Sequence, residues 1–117
     1  MEMETAIRRL SALAQDSRLQ IFRLLVQAGP NGLAAGEIAK ALAIPANTLS
    51  VHLNILANSD LVISRRDGRS RIYATKYDAM RELLAYLIED CCQGKPEMCA
   101  PLLELGGICS APNKDCC

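Results

Sequence analysis

The stretch ANTLSVHLNILANSDLVISRRDGRSRIYAT, Ala46 to Thr75, carries two periodicities in succession. In its first half Leu49, Leu53, Leu56 and Ala57 fall on one side at helical spacing, while Asn47, Ser50, Val51, Asn54 and Asn58 recur on the other. This predicts a helix with one apolar face and one face that is short, polar and uncharged. An ordinary solvated face carries more Lys and Glu. In the second half, Asp67-Gly68 between two β-prone runs is a hairpin signal. A turn centred there pairs Ile63 with Ile72 and Leu61 with Ala74, and it gathers Arg65, Arg66, Arg69 and Arg71 around the tip.

Working outward, Met3, Ile7, Leu10 and Leu13 form a short helical stripe. Asp16 or Ser17 is placed to cap a second helix whose Leu19, Ile21, Phe22, Leu24, Leu25 and Val26 are too many for one narrow face, so it is expected to be central and largely buried. Gly29, Pro30 and Gly32 end it, and a third helix follows around Ala35 to Ala43 with Ile38 and Leu42 inward. Two short helices, a polar-faced helix and a basic hairpin, in that order, make a mainly α fold with a β-hairpin wing, the winged helix-turn-helix. Small amides and hydroxyls suit base edges in a major groove, and guanidinium groups suit phosphates.

The last helix is expected to start near Thr75, with Asp78 completing a capping-box-like turn. Its Met80, Leu83, Leu84, Leu87, Ile88 and Cys91 repeat as an apolar stripe that needs a partner. A symmetric dimer seam built from the first and last helices supplies one, and the protomer's own core is the alternative. Residues 1–92 therefore read as a DNA-binding and dimerisation domain. Residues 93–117, with Gly94, Pro96, Pro101, Gly106, Gly107 and Pro112, read as a loop-rich cysteine-containing tail.

The chain has 117 residues, zero formal net charge and apolar runs too short for a bilayer. Its amino terminus, MEMETAIRRL, has no apolar core of a secretory signal, so a cytoplasmic protein is expected and its six cysteines read as reduced, metal-binding or reactive. Charge is uneven. Arg65, Arg66, Arg69, Arg71 and Lys76 face only Asp67 between Leu61 and Tyr77, whereas acidic residues dominate from Asp78 onward. One basic segment in a neutral chain fits a polyanion bound through a single surface.

The stretch SVHLNILANSDLVISRRDGRSRIYAT, with the preceding DSRLQIFRLL, resembles the ArsR/SmtB family of metal-responsive transcriptional repressors, a likeness running from about Thr5 to Cys92. In that family a serine-x-histidine-leucine helix leads into leucine-valine, a basic wing with glycine-arginine at its tip, and a tyrosine before the last helix. Ser59-Asp60 stands here where alanine-glycine is common. The resemblance implies a homodimer that blocks transcription at a double-stranded operator and leaves it when a metal or metalloid binds. Asn47, Thr48, Ser50, His52 and Asn54 are then expected at the major groove, and Arg66, Arg69 and Arg71 at phosphates and the minor groove.

The family places its inducer site variously. The arsenite version with cysteines on the third helix is excluded, because Ala34 and Gly36 occupy the matching positions. The zinc version uses carboxylates and histidines on the last helix, and His52, the single histidine, lies in the DNA-reading helix. What remains looks like the variant arsenite repressors, with Cys91-Cys92 at the end of the last helix and Cys99 shortly after. Adjacent helical residues point about 100° apart, so Gly94 and Pro96 are needed to break the helix and return Cys99 toward the pair. Three thiolates without histidine suit a soft three-coordinate ion, and the resemblance makes that ion trivalent arsenic, with antimony as its congener. Cys109, Cys116 and Cys117 read as auxiliary. A thiol redox-sensing repressor and a response to another thiophilic metal such as cadmium are the alternatives. A thiol enzyme is not expected, since no histidine accompanies the cysteines.

Overall fold

The computed structural model describes residues 1–88; Cys91, Cys92, Cys99 and the boundary expected at residue 92 lie outside the described residues. Helices α1 (Met3–Leu13) and α2 (Asp16–Ala28) precede a short strand β1 (Leu33–Ala34) and α3 (Ala35–Leu42). Then come α4 (Ala46–Asn58), the hairpin strands β2 (Val62–Asp67) and β3 (Ser70–Thr75), and α5 (Tyr77–Leu87). The strands form one antiparallel sheet in the order β1-β3-β2. This is the winged helix-turn-helix that the sequence suggests. Met1–Leu83 make one compact unit, and of the second, which starts at Leu84, the described part is the end of α5 and Ile88.

The core of the first unit joins Ile21, Phe22 and Leu25 of α2 to Ile38 of α3, to Leu49, Leu53 and Leu56 of α4, and to Leu61 and Val62. Each such side chain contributes about 1.5–3 kcal/mol by leaving water. Burial of α2 is less complete than its composition suggests, for Leu19 and Val26 are exposed. Its N-cap is Gln15, whose Oε1 accepts from the Arg18 backbone N–H at 2.9 Å. Asp16, expected as a cap, is instead the first helical residue, where its charge complements the helix dipole.

Strand β1 has no counterpart in the sequence reading. It exists because Gly32, at φ +73°, lets the backbone pass directly against Tyr73; a Cβ there would stand 2.2 Å from the Tyr73 carbonyl oxygen. Leu33 then pairs with Tyr73 and Ala34 with Ile72. Two residues are too few to show an alternation.

The hairpin is present with a different register. Gly68 and Arg69 are the turn residues and Asp67 pairs with Ser70, so Ile63 faces Ala74 and Ile72 faces Arg65. Gly68 has φ +65° and Arg69 keeps a negative φ, as a type II′ turn requires; the expected Asp67-Gly68 centre would force a positive φ on Asp67. Because the partner shifts by two, every side chain keeps its expected face. Burial is confined to the base, at Val62, Ala74 and Thr75, and Ile63 is exposed.

Helix α5 begins at Tyr77, later than expected, because Thr75 is the last residue of β3. The Lys76 carbonyl accepts from the Ala79 and Met80 N–H groups. The Thr75 hydroxyl is buried without a hydrogen-bond partner among the described residues, so it does not cap the helix.

Candidate nucleic-acid interface

Helix α4 presents the two faces that its sequence implies. Leu49, Leu53 and Leu56 are buried, and Asn47, Thr48, Ser50, Val51, Asn54 and Asn58 are all exposed. Core packing fixes the roll of the helix about its axis, and that roll aims the amides and hydroxyls outward. Asn47 is partly engaged at the N-terminus, its Oδ1 accepting from the Thr48 N–H at 2.9 Å. His52 is half-buried at the edge of the face, and Arg18 Nη1 of α2 lies 3.4 Å from its Nδ1. An arginine can only donate, so in this contact Nδ1 of His52 is the accepting atom.

In the wing the four arginines divide. Arg65 Nη2 donates to the Asn31 carbonyl at 3.0 Å, and Arg71 Nη1 donates to Ser64 Oγ at 3.0 Å. Arg66 and Arg71 stand directly opposite each other across the strands. Like charges in that position repel. None of the four forms an ion pair among the described residues. A pair of uncompensated guanidinium groups on one face of a hairpin is an arrangement completed by an anion such as a phosphate.

Two arginines behind this surface are absent from the sequence-derived site. Arg18, besides meeting His52, donates through Nε to the Ala12 carbonyl at 2.6 Å. Arg9 of α1 is buried, 6% exposed, and reaches both α5 and the residue that closes α4. A signal for Arg9 was present: it shares one helical face with Ala6 and Ala12, whose small side chains leave room for a long one. Among the described residues no group of three His, Cys, Asp or Glu side chains could hold a metal ion, and no helix is long and apolar enough to cross a membrane.

Residues 13–65, which include the whole of α2, α3 and α4, match a family described as a helix-turn-helix domain. The HTH-type transcriptional regulator YgaV of Escherichia coli is 31% identical over 84 residues, 72% of this chain and 83% of that protein. HlyU from Vibrio cholerae shares the fold with a TM-score of 0.59 at 34% identity, covering 74% of this chain and 97% of that one. Its reduced form gives 0.58 at 32% identity, over 72% and 88%. A homodimeric winged helix-turn-helix DNA-binding domain from Mycobacterium bovis, described as a possible ArsR-family transcriptional regulator, gives 0.62 at 32% identity, over 75% and 81%.

The chain belongs to the ArsR/SmtB-type family of winged-helix regulators. Its biochemical role is therefore DNA-binding transcription regulation, not enzymatic turnover. In this ArsR/SmtB-type regulator the matched residues hold the whole of α4 and the first part of the wing, whereas Cys91, Cys92 and Cys99 fall beyond the match.

Proposed function

We propose that this protein is a homodimeric transcriptional repressor that leaves its operator when trivalent arsenic, or antimony, is bound by Cys91, Cys92 and Cys99. The observation that carries DNA recognition is the exposed uncharged face of α4 beside the uncompensated wing arginines. Asn47, Thr48, Ser50, His52 and Asn54 serve the major groove. Arg66, Arg69 and Arg71 serve phosphates and the minor groove.

The donor set supports the inducer. Three cysteines lie within nine residues, and the single histidine is engaged with Arg18. Soft thiolates without imidazole fit a trigonal thiophilic ion better than tetrahedral zinc. The dimer is supported by α1, whose apolar stripe is exposed over Met3, Ile7 and Leu10, with Met3 66% and Ile7 55% exposed, and meets its own core only at Leu13. Leu84 and Leu87 of α5 are exposed as well.

A second reading has an observation of its own, the similarity to reduced HlyU. In that reading two of the same thiols give up two electrons and two protons to an oxidant such as a peroxide, and the resulting disulfide changes DNA affinity. One titration separates the two. A fluorescent operator duplex bound by wild-type protein is titrated anaerobically with arsenite, antimonite, cadmium and zinc and, in a parallel arm, with hydrogen peroxide, and free thiols are counted after each metal or metalloid has been chelated away. Release by arsenite with all thiols recovered supports the metalloid reading. Release by peroxide alone supports the redox reading and sinks the first.

A further inference from the structure

Arg9 is a buried cation whose firmest contacts are not to a carboxylate. Its Nε donates to the Ser59 carbonyl at 3.2 Å and its Nη1 to the Ala79 carbonyl at 3.0 Å. The Glu82 carboxylate, 3.3 Å from Nη1, is 63% exposed and so screened by water. Ser59 is the residue that closes α4, and it is buried with its own hydroxyl donating to the Leu56 carbonyl at 2.9 Å. Ala79 lies in the first turn of α5. One guanidinium thus ties the end of the helix that presents Asn47 to Asn54 to both α1 and α5. Apolar packing of Leu49, Leu53 and Leu56 sets how far α4 stands from the core, but it is non-directional. The two fork-like donors of Arg9 add direction.

We infer that Arg9 is a positioning residue for operator discrimination: it fixes the seat of α4 so that its outward amides and hydroxyls meet base edges in register. The inference rests on the reading of α4 as the DNA-reading helix. Hydrogen bonds to bases tolerate only a few tenths of an ångström, whereas guanidinium-to-phosphate attraction falls off slowly with distance. Loosening α4 therefore costs sequence-specific affinity and leaves the wing's sequence-independent affinity in place. A role in stability alone has a different signature. It lowers the folded fraction, which scales binding to every duplex equally and leaves the ratio between duplexes untouched.

The test uses the full chain and the duplex that wild-type protein selects from a random-sequence library, compared with a scrambled duplex. The readout is the affinity ratio of the two, with folded fraction checked by circular dichroism. Arg9→Met should lower this ratio by about tenfold or more, from the roughly 10³-fold or greater preference of specific binders, with scrambled-duplex affinity within about twofold of wild type. Arg9→Lys keeps the charge and one carbonyl contact, and should lie between them; it also replaces Arg9→Met should that variant not fold. Glu82→Gln should leave the ratio unchanged. An unchanged ratio in Arg9→Met, or in Arg9→Lys where it stands in, overturns the inference about Arg9 alone. A wild-type protein that enriches no sequence overturns the reading of α4 as well.

Discussion

At the scale of single residues, the fold depends on a few positions where one atom decides. Gly32 is the clearest. Its left-handed backbone costs an alanine about 1–2 kcal/mol, and the added Cβ would also meet the Tyr73 carbonyl, a backbone atom that cannot turn aside. Gly32→Ala is expected to lose about 2 kcal/mol or more in urea unfolding; a midpoint equal to wild type would show that β1 does not need this approach. The sequence marks Gly32 only as loop punctuation, because the clash comes from a strand some forty residues away. Asp60 is the opposite case. It departs from the usual family glycine and still adopts φ +64°, a conformation that aspartate tolerates, with Lys76 Nζ 3.8 Å from its carboxylate. For Arg9 the sequence signals only the room beside Ala6 and Ala12; its firmest partners are backbone carbonyls, which leave no trace in residue type.

Among the elements, α4 and the hairpin are read most fully from sequence, since each has a periodicity long enough to count. The hairpin register was not, because Asp67-Gly68 and Gly68-Arg69 are both plausible turn pairs by composition and the choice rests on which residue takes a positive φ. The observed register has a functional consequence: it sets Arg66 directly across from Arg71. Opposed like charges cost about 0.2–1 kcal/mol relative to a neutral pair. Arg66→Thr should therefore raise the thermal midpoint of the free protein, threonine being at home in a strand. It should also weaken binding to operator and scrambled duplex together, with the salt slope falling by about 0.9 because one phosphate is no longer neutralised. Both measurements must move. A variant that is stabilised without any change in salt slope would remove Arg66 from the residues that touch DNA.

At the scale of the whole molecule two things must be joined, the dimer and the inducer site. The proposed dimer rests on the stripes on α1 and α5, whose amphipathic pattern exceeds what one small core can absorb. Ile7→Glu should dissociate the dimer and abolish tight operator binding, and sedimentation equilibrium is the check. A wild-type monomer that still binds a palindromic operator tightly would sink the seam. The proposed inducer site is given by the sequence only as a donor set, because spacing states which thiols are near in sequence and not how they meet. If Cys91, Cys92 and Cys99 bind the metalloid at the end of the seam helix, Cys99 is pulled back toward the pair and α5 is strained or reoriented. A coupling of about 1–3 kcal/mol shifts operator affinity roughly 5–150-fold. Cys92→Ser should keep repression and lose arsenite release, because serine preserves size without the soft thiolate. Truncation after Leu105 should preserve release, since it removes Cys109, Cys116 and Cys117 yet leaves three ligands whose closing loop is short. The two proteins are compared on the same operator under arsenite. Release by Cys92→Ser together with none by the truncated chain would move the site into the tail.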